Sequence, residues 1–135
     1  MLDLWSIAHF ILGMAFGRLP FIILSRRAIG LPDTSKSPRK ITIAHGYFFV
    51  LSFAYCWEAL EFALEAGVAG PAVGFWLQGH EHLVNRIITD PALVLMGYWF
   101  SNTHAPWIFW PSRVALLIWS WVFLVIMPHS MAYTG

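Results

Sequence analysis

Four long apolar segments, joined by little that water would solvate, set the solvent of this chain before they set anything else. They run over about 4–24, 41–66, 83–105 and 112–131. Eight Lys/Arg and seven Asp/Glu make up 11% of the 135 residues, where soluble domains carry about 25% charged residues. A water-facing shell cannot be assembled from so few charges. The expected fold class is therefore all-α, an integral membrane bundle of four transmembrane helices in one domain over 1–135, with membrane lipids as its surroundings. A net charge of +1 argues against nucleic acid as a partner. Cys56 is the only cysteine, which rules out an internal disulfide and argues against a thiolate metal site.

The start, Met1-Leu2-Asp3-Leu4-Trp5, lacks a basic n-region. The first segment is thus expected to be retained as a span, with Arg18 snorkelling toward the interface. The third segment is less regular, because it contains Asn85, Arg86, Thr89, Asp90 and Pro91. Thr89-Asp90-Pro91 has the form of a helix start, a capping side chain followed by proline at the first helical position. Yet 91–105 alone gives only about 22 Å of helix. Two arrangements follow: one span kinked at Pro91, or a separate re-entrant or interfacial helix over 74–88 leading into a tilted one. The kinked span is preferred.

Residues 25–40 form the one clearly soluble stretch, with Arg26, Arg27, Lys36, Arg39 and Lys40 against Asp33. Short Lys/Arg-rich loops stay in the cytoplasm. This linker, and 103–112 with Arg113 beside it, are accordingly expected inside, and both termini and the 67–79 loop outside. Several of the eight tryptophans, among them Trp57, Trp76, Trp99, Trp107 and Trp110, fall near span ends, as in an aromatic belt.

Five of the seven acidic residues (Glu58, Glu61, Glu65, Glu81 and Asp90) lie in or beside apolar segments. Ionisable side chains inside a bilayer are costly and normally face protein or water. Glu58, Glu61 and Glu65 stand at i, i+3 and i+7 and so share a helix face near the outer end of the second span, Glu65 reaching the interface and Glu58 lying deepest. In the first span, His9, Gly13 and Gly17 form a stripe whose two glycines permit close helix packing. The third span opens with Gly79-His80-Glu81-His82, and His82, Asn85, Arg86 and Thr89 share a face with Asp90 to one side. The topology brings His9, the glutamate row and this set to one depth. There they form either a salt-bridge network, with Arg86 pairing Glu58, Glu61 or Asp90, or a site.

As a site, the cluster offers catalytic candidates in Glu58, Glu61, Glu81 and His82, and binding candidates in His9, Asn85, Arg86 and Asp90. Glu61, Glu81, His82 and His9 would suit zinc, manganese or iron, although H-E-H lacks the i, i+4 spacing of H-E-x-x-H and no paired E-x-x-H motif occurs. Heme or chlorophyll could take His9, His45 or His82 as an axial ligand, amid many aromatics. No cofactor is assigned by these patterns. No G-x-S-x-G elbow is present, and Cys56 has no evident base nearby. Clustered carboxylates would suit acid–base chemistry or a proton or cation path.

The order of these residues resembles the VanZ-like group of small bacterial membrane proteins. The pattern is D-x-W-x-x-x-H-x-x-x-G in the first span (Asp3, Trp5, His9, Gly13), W-E-x-x-E in the second (Trp57, Glu58, Glu61), and N-x-x-x-x-D leading to a glycine in the third (Asn85, Asp90, Gly97). His80-Glu81-His82 departs from the group's pattern. The resemblance implies a compact helical bundle with a polar cluster in a bacterial cytoplasmic membrane, and no defined activity. The function expected first is a non-catalytic accessory or assembly subunit of a larger integral membrane complex, with other membrane subunits as partners. The alternatives are an enzyme or binding protein with a carboxylate/histidine site near the outer face, or a small proton or cation conductor.

Overall fold

The computed structural model describes residues 4–17, 19, 38–77, 83–103 and 106–126. Every regular element among them is helical, as expected. The elements are α1 (Leu4–Phe16), α2 (Pro38–Glu65), a short α3 (Pro71–Leu77), a π-helical turn (Asn85–Thr89) running straight into α4 (Asp90–Thr103), a 3-10 turn (Pro106–Ile108) leading into α5 (Phe109–Trp121), and a closing π-turn (Val122–Ile126). Proline opens both α2 and α3, where its fixed φ suits the helix and its missing N–H removes no helical bond. α2 thus begins at Pro38, inside the stretch expected as linker; the rest of that linker, 25–37, lies outside the described residues.

Residue pairing gives the relative directions. His9 faces Asp90, Gly13 faces Val94 and Gly17 faces Ser101, so α1 and α4 run parallel. His9 faces Glu58 while Phe16 meets Phe49 and Phe53, so α2 is antiparallel to α1. Arg113 reaches Ala15 and Phe109 lies against Gly17, so α5 is antiparallel as well. The long helices therefore alternate in direction along the chain.

The tightest joint is that between α1 and α4. A Cβ at Gly13 would stand 2.0 Å from the Val94 carbonyl oxygen, and one at Gly97 2.1 Å from that of Phe10. The two backbones approach each other reciprocally, a contact open only to glycine and suited to Cα–H···O interaction. Gly13 and Gly17 are the packing pair expected; their counterpart, Gly97-x-x-x-Ser101 on α4, was not. Beside this joint lies a small core of Val50, Ala54, Val94 and Tyr98, with the Tyr47 and Tyr98 rings edge to face at 5.0 Å.

Helix ends show how the polar backbone is satisfied. α2 closes in a Schellman motif: Val68 N–H donates to Ala63, Gly67 N–H donates to Leu64, and Gly67 adopts φ +80°. At the end of α1, Arg113 Nε donates to the Ala15 carbonyl at 3.2 Å while its guanidinium lies 4.0 Å from the centre of the Phe109 ring.

Residues 83–103 form one helix that changes geometry ahead of Pro91. Proline cannot donate to the carbonyl four residues back, which belongs to Ile87. Tyr55 Oη donates to that carbonyl instead, at 3.0 Å, while the Asp90 N–H reaches back five residues to Asn85. Thr89-Asp90-Pro91 is therefore not a helix start. Asp90 has helical φ and ψ, and its carboxylate is turned to His9 instead of capping a helix. Residues 83–103 are thus continuous helix with a π-turn at the break, and α3 is a short helix earlier in the chain; 78–82, between the two, lie outside the described residues.

One stretch among the described residues, Ala44–Glu65 of α2, is a helix long and apolar enough to cross a membrane. α1 is shorter, and residues 20–24 of its expected span lie outside the description, as do 104–105 and 127–131 at the ends of the third and fourth segments. Large apolar side chains face outward on every long helix, including Ile7, Phe48, Phe62, Met96, Trp110 and Leu117.

Candidate functional site

Polar side chains gather inside the bundle at the end where α1 starts, α2 finishes and the π-turn meets α4. His9 comes from α1, and Glu58, Glu61 and Glu65 from one face of α2. Arg86 lies within the π-turn and Asp90 directly follows it, and Asn85, Arg86 and Asp90 are all buried. Glu58 is 4% exposed and Asp90 1%, extreme values for carboxylates.

His9 sits between two acids. Its Nε2 lies 3.0 Å from Glu58 Oε1, and its Nδ1 lies 3.7 Å from Asp90 Oδ1. Arg86 joins Glu58 to a third acid: Nε is 3.7 Å from Glu58 Oε2, and a terminal nitrogen donates to both oxygens of Glu65 at 2.9 Å. The guanidinium also lies 5.5 Å from the centre of the Phe62 ring. Asp90, His9, Glu58, Arg86 and Glu65 thus form one chain of charge-bearing groups through the bundle. Glu65, at the last position of α2, pairs with Arg86 and is largely withdrawn from solvent.

Glu61 stands beside this chain. It is buried, and one ligand atom from each of His9, Glu58 and Glu61 lies within 4.8 Å of the others. His9 and Glu61 together form part of the wall of a partly open cavity of about 250 Å³ between α1, α2, α3 and α5. Its remaining walls are mostly apolar, with Leu12, Phe53, Leu64 and Leu116 among them; Ser120 and Trp119 also line it. The Trp119 indole N–H is buried and meets no acceptor among the described residues.

Of the residues singled out in the sequence, His9, Glu58, Glu61, Asn85, Arg86 and Asp90 come together, and Gly13 and Gly17 set the helix contact beside them. Glu81 and His82 lie outside the described residues, so His9, Glu58 and Glu61 are the metal-competent group among those described. His45 is exposed 13 residues before Glu58 on α2, about 20 Å away along the helix, and does not join the cluster. Trp119 and Ser120 were missed. Their signal was the spacing of Leu116, Trp119, Ser120 and Phe123 at i, i+3, i+4 and i+7, a helix face that the uniform hydrophobicity of the fourth segment conceals.

No family model matches the chain, and neither a curated protein nor a solved structure matches it.

Proposed function

We propose that the protein is a four-span integral membrane protein that binds an amphipathic, lipid-borne molecule, lodging its apolar part in the cavity and its polar group against His9 and Glu61. The cavity carries this reading, since it is apolar along most of its wall but has a buried imidazole and a buried carboxylate on one side. Acid–base chemistry on the bound group is open to the same His9 and Glu61.

Alternating helix directions and outward-facing apolar side chains support placement in a bilayer, as does a length of about 31 Å for 83–103. The basic linker orients the bundle with 25–40 in the cytoplasm, which sets the polar cluster toward the outer face of a bacterial cytoplasmic membrane. A compact helical bundle around a polar cluster is also what the likeness to the VanZ-like group implies. An accessory-subunit role draws on the same outward apolar surface, but lipid covers such a surface equally well, so a ligand-binding role is preferred.

Protein extracted from its native membrane in mild detergent should carry one amphipathic molecule per chain by native mass spectrometry. Ser120→Trp and Leu116→Phe, which fill the cavity, should release it while helicity by circular dichroism is kept. Chains without such a molecule, or equal occupancy in folded filled variants, would contradict the proposal.

A further inference from the structure

His9, Glu58 and Glu61 form a group whose charge and spacing ask for more than a lipid headgroup. The three are all buried, come from two helices, and offer one nitrogen and two carboxylate oxygens within 4.8 Å of one another. In a tetrahedral site with bonds of 2.0–2.2 Å, neighbouring ligand atoms stand about 3.4 Å apart. His9 Nε2 and Glu58 Oε1 are already at 3.0 Å, and Glu61, with three side-chain torsions, can close the remaining distance. Small rotations would bring the set to coordination geometry.

Glu58 and Glu61 place two carboxylates side by side in this buried cluster, where desolvation makes negative charge costly. A divalent cation there would neutralise both glutamates while His9 binds as the neutral imidazole. Asp90, on the Nδ1 side of His9, stands where a carboxylate orients a metal-bound histidine through its other nitrogen. His9 and Glu61 border the cavity, so an ion held by them would face it and leave coordination positions open to a ligand.

We infer that His9, Glu58 and Glu61 bind one divalent cation of the zinc, manganese or ferrous iron class at the wall of the cavity, with Asp90 as a positioning residue behind His9. An imidazole with two carboxylates suits these ions, whereas calcium and magnesium favour all-oxygen sites. The inference rests on the cavity being the ligand site proposed above, where the ion would meet the ligand's polar group.

The full chain, stripped with chelator in mild detergent, reloaded with Zn2+ or Mn2+ and desalted, should retain one ion per chain by elemental mass spectrometry. Glu58→Gln and Glu61→Gln should each reduce retention at least tenfold, Asp90→Asn should weaken affinity about 10- to 100-fold, and His45→Gln should retain the ion. Co2+ loaded into the wild type should show visible bands that change in His9→Gln, a signature of nitrogen ligation independent of any lipid. No retained ion in folded wild type overturns the inference, as does undiminished retention in Glu58→Gln and Glu61→Gln, or displacement of Mn2+ by equimolar Mg2+. Native mass spectrometry of the metal-free wild type separates the two proposals: a bound amphipath without metal competence defeats only the ion, and an ion without any amphipath defeats only the lipid ligand.

Discussion

At the scale of single residues, Arg86 and Pro91 show how a helix with an apolar exterior accommodates polar groups. Arg86 lies against Glu58 and Glu65 from the π-turn, with both charged partners largely withdrawn from solvent. Removing one member of such a group leaves buried charge without its counterion. Arg86→Ala should therefore lower unfolding free energy in detergent by about 3–5 kcal/mol; a loss below about 1 kcal/mol would show that water already reaches these acids. Pro91 frees the Ile87 carbonyl, and Tyr55 fills it. Tyr55→Phe should cost about 1 kcal/mol in the wild type and close to nothing in Pro91→Ala, where the new amide N–H takes the carbonyl. Equal costs in the two backgrounds would break that link. His9 and the glutamate row could be read from the sequence, because a charge in an apolar run is conspicuous. The pairing of Tyr55 with Ile87 could not: it joins positions 32 apart, and nothing local to either marks it.

At the scale of helices, the α1–α4 contact is set by glycines that differ in what they touch. Gly13 and Gly97 each face a backbone oxygen of the opposite helix, which cannot move without moving that helix. Gly17 faces the Ser101 hydroxyl and the edge of the Phe109 ring, which have side-chain freedom. Gly13→Ala and Gly97→Ala should cost about 3 kcal/mol or more, and Gly17→Ala about 1 kcal/mol, on the scale of overpacking in a filled core. Thermal unfolding followed by circular dichroism in detergent checks the ranking, and a Gly17→Ala at least as damaging as Gly13→Ala would refute it. The glycine stripe on α1 was legible as a packing face. Its partner was not, since Gly97 and Ser101 lie among bulky residues and only the parallel pairing of α1 with α4 brings them to it. Thr89-Asp90-Pro91 misled for a related reason. A cap and an acid buried against a histidine call for the same residue types, and sequence spacing alone does not separate them.

At the scale of the whole molecule, the all-helical class followed from the scarcity of charge, and the gathering of His9, the glutamates, Arg86 and Asp90 followed from alternating helix directions. The cavity did not, because three of the segments around it are apolar on most faces and conceal which side turns inward. Reporter fusions at position 30 should read as cytoplasmic and fusions at position 68 as external; the reverse would put the polar cluster at the other face of the membrane. The central claim, that the bundle encloses a ligand and not merely a gap between helices, is tested most directly by photo-crosslinking in the native membrane. A diazirine side chain at Ser120, on the cavity wall, is compared with one at Leu117, which is 71% exposed on the outside of the same helix. Position 120 should yield an adduct of one defined mass, and position 117 the spread of masses of the surrounding lipids. The same mixture from both positions, or no adduct at 120, would contradict an enclosed ligand.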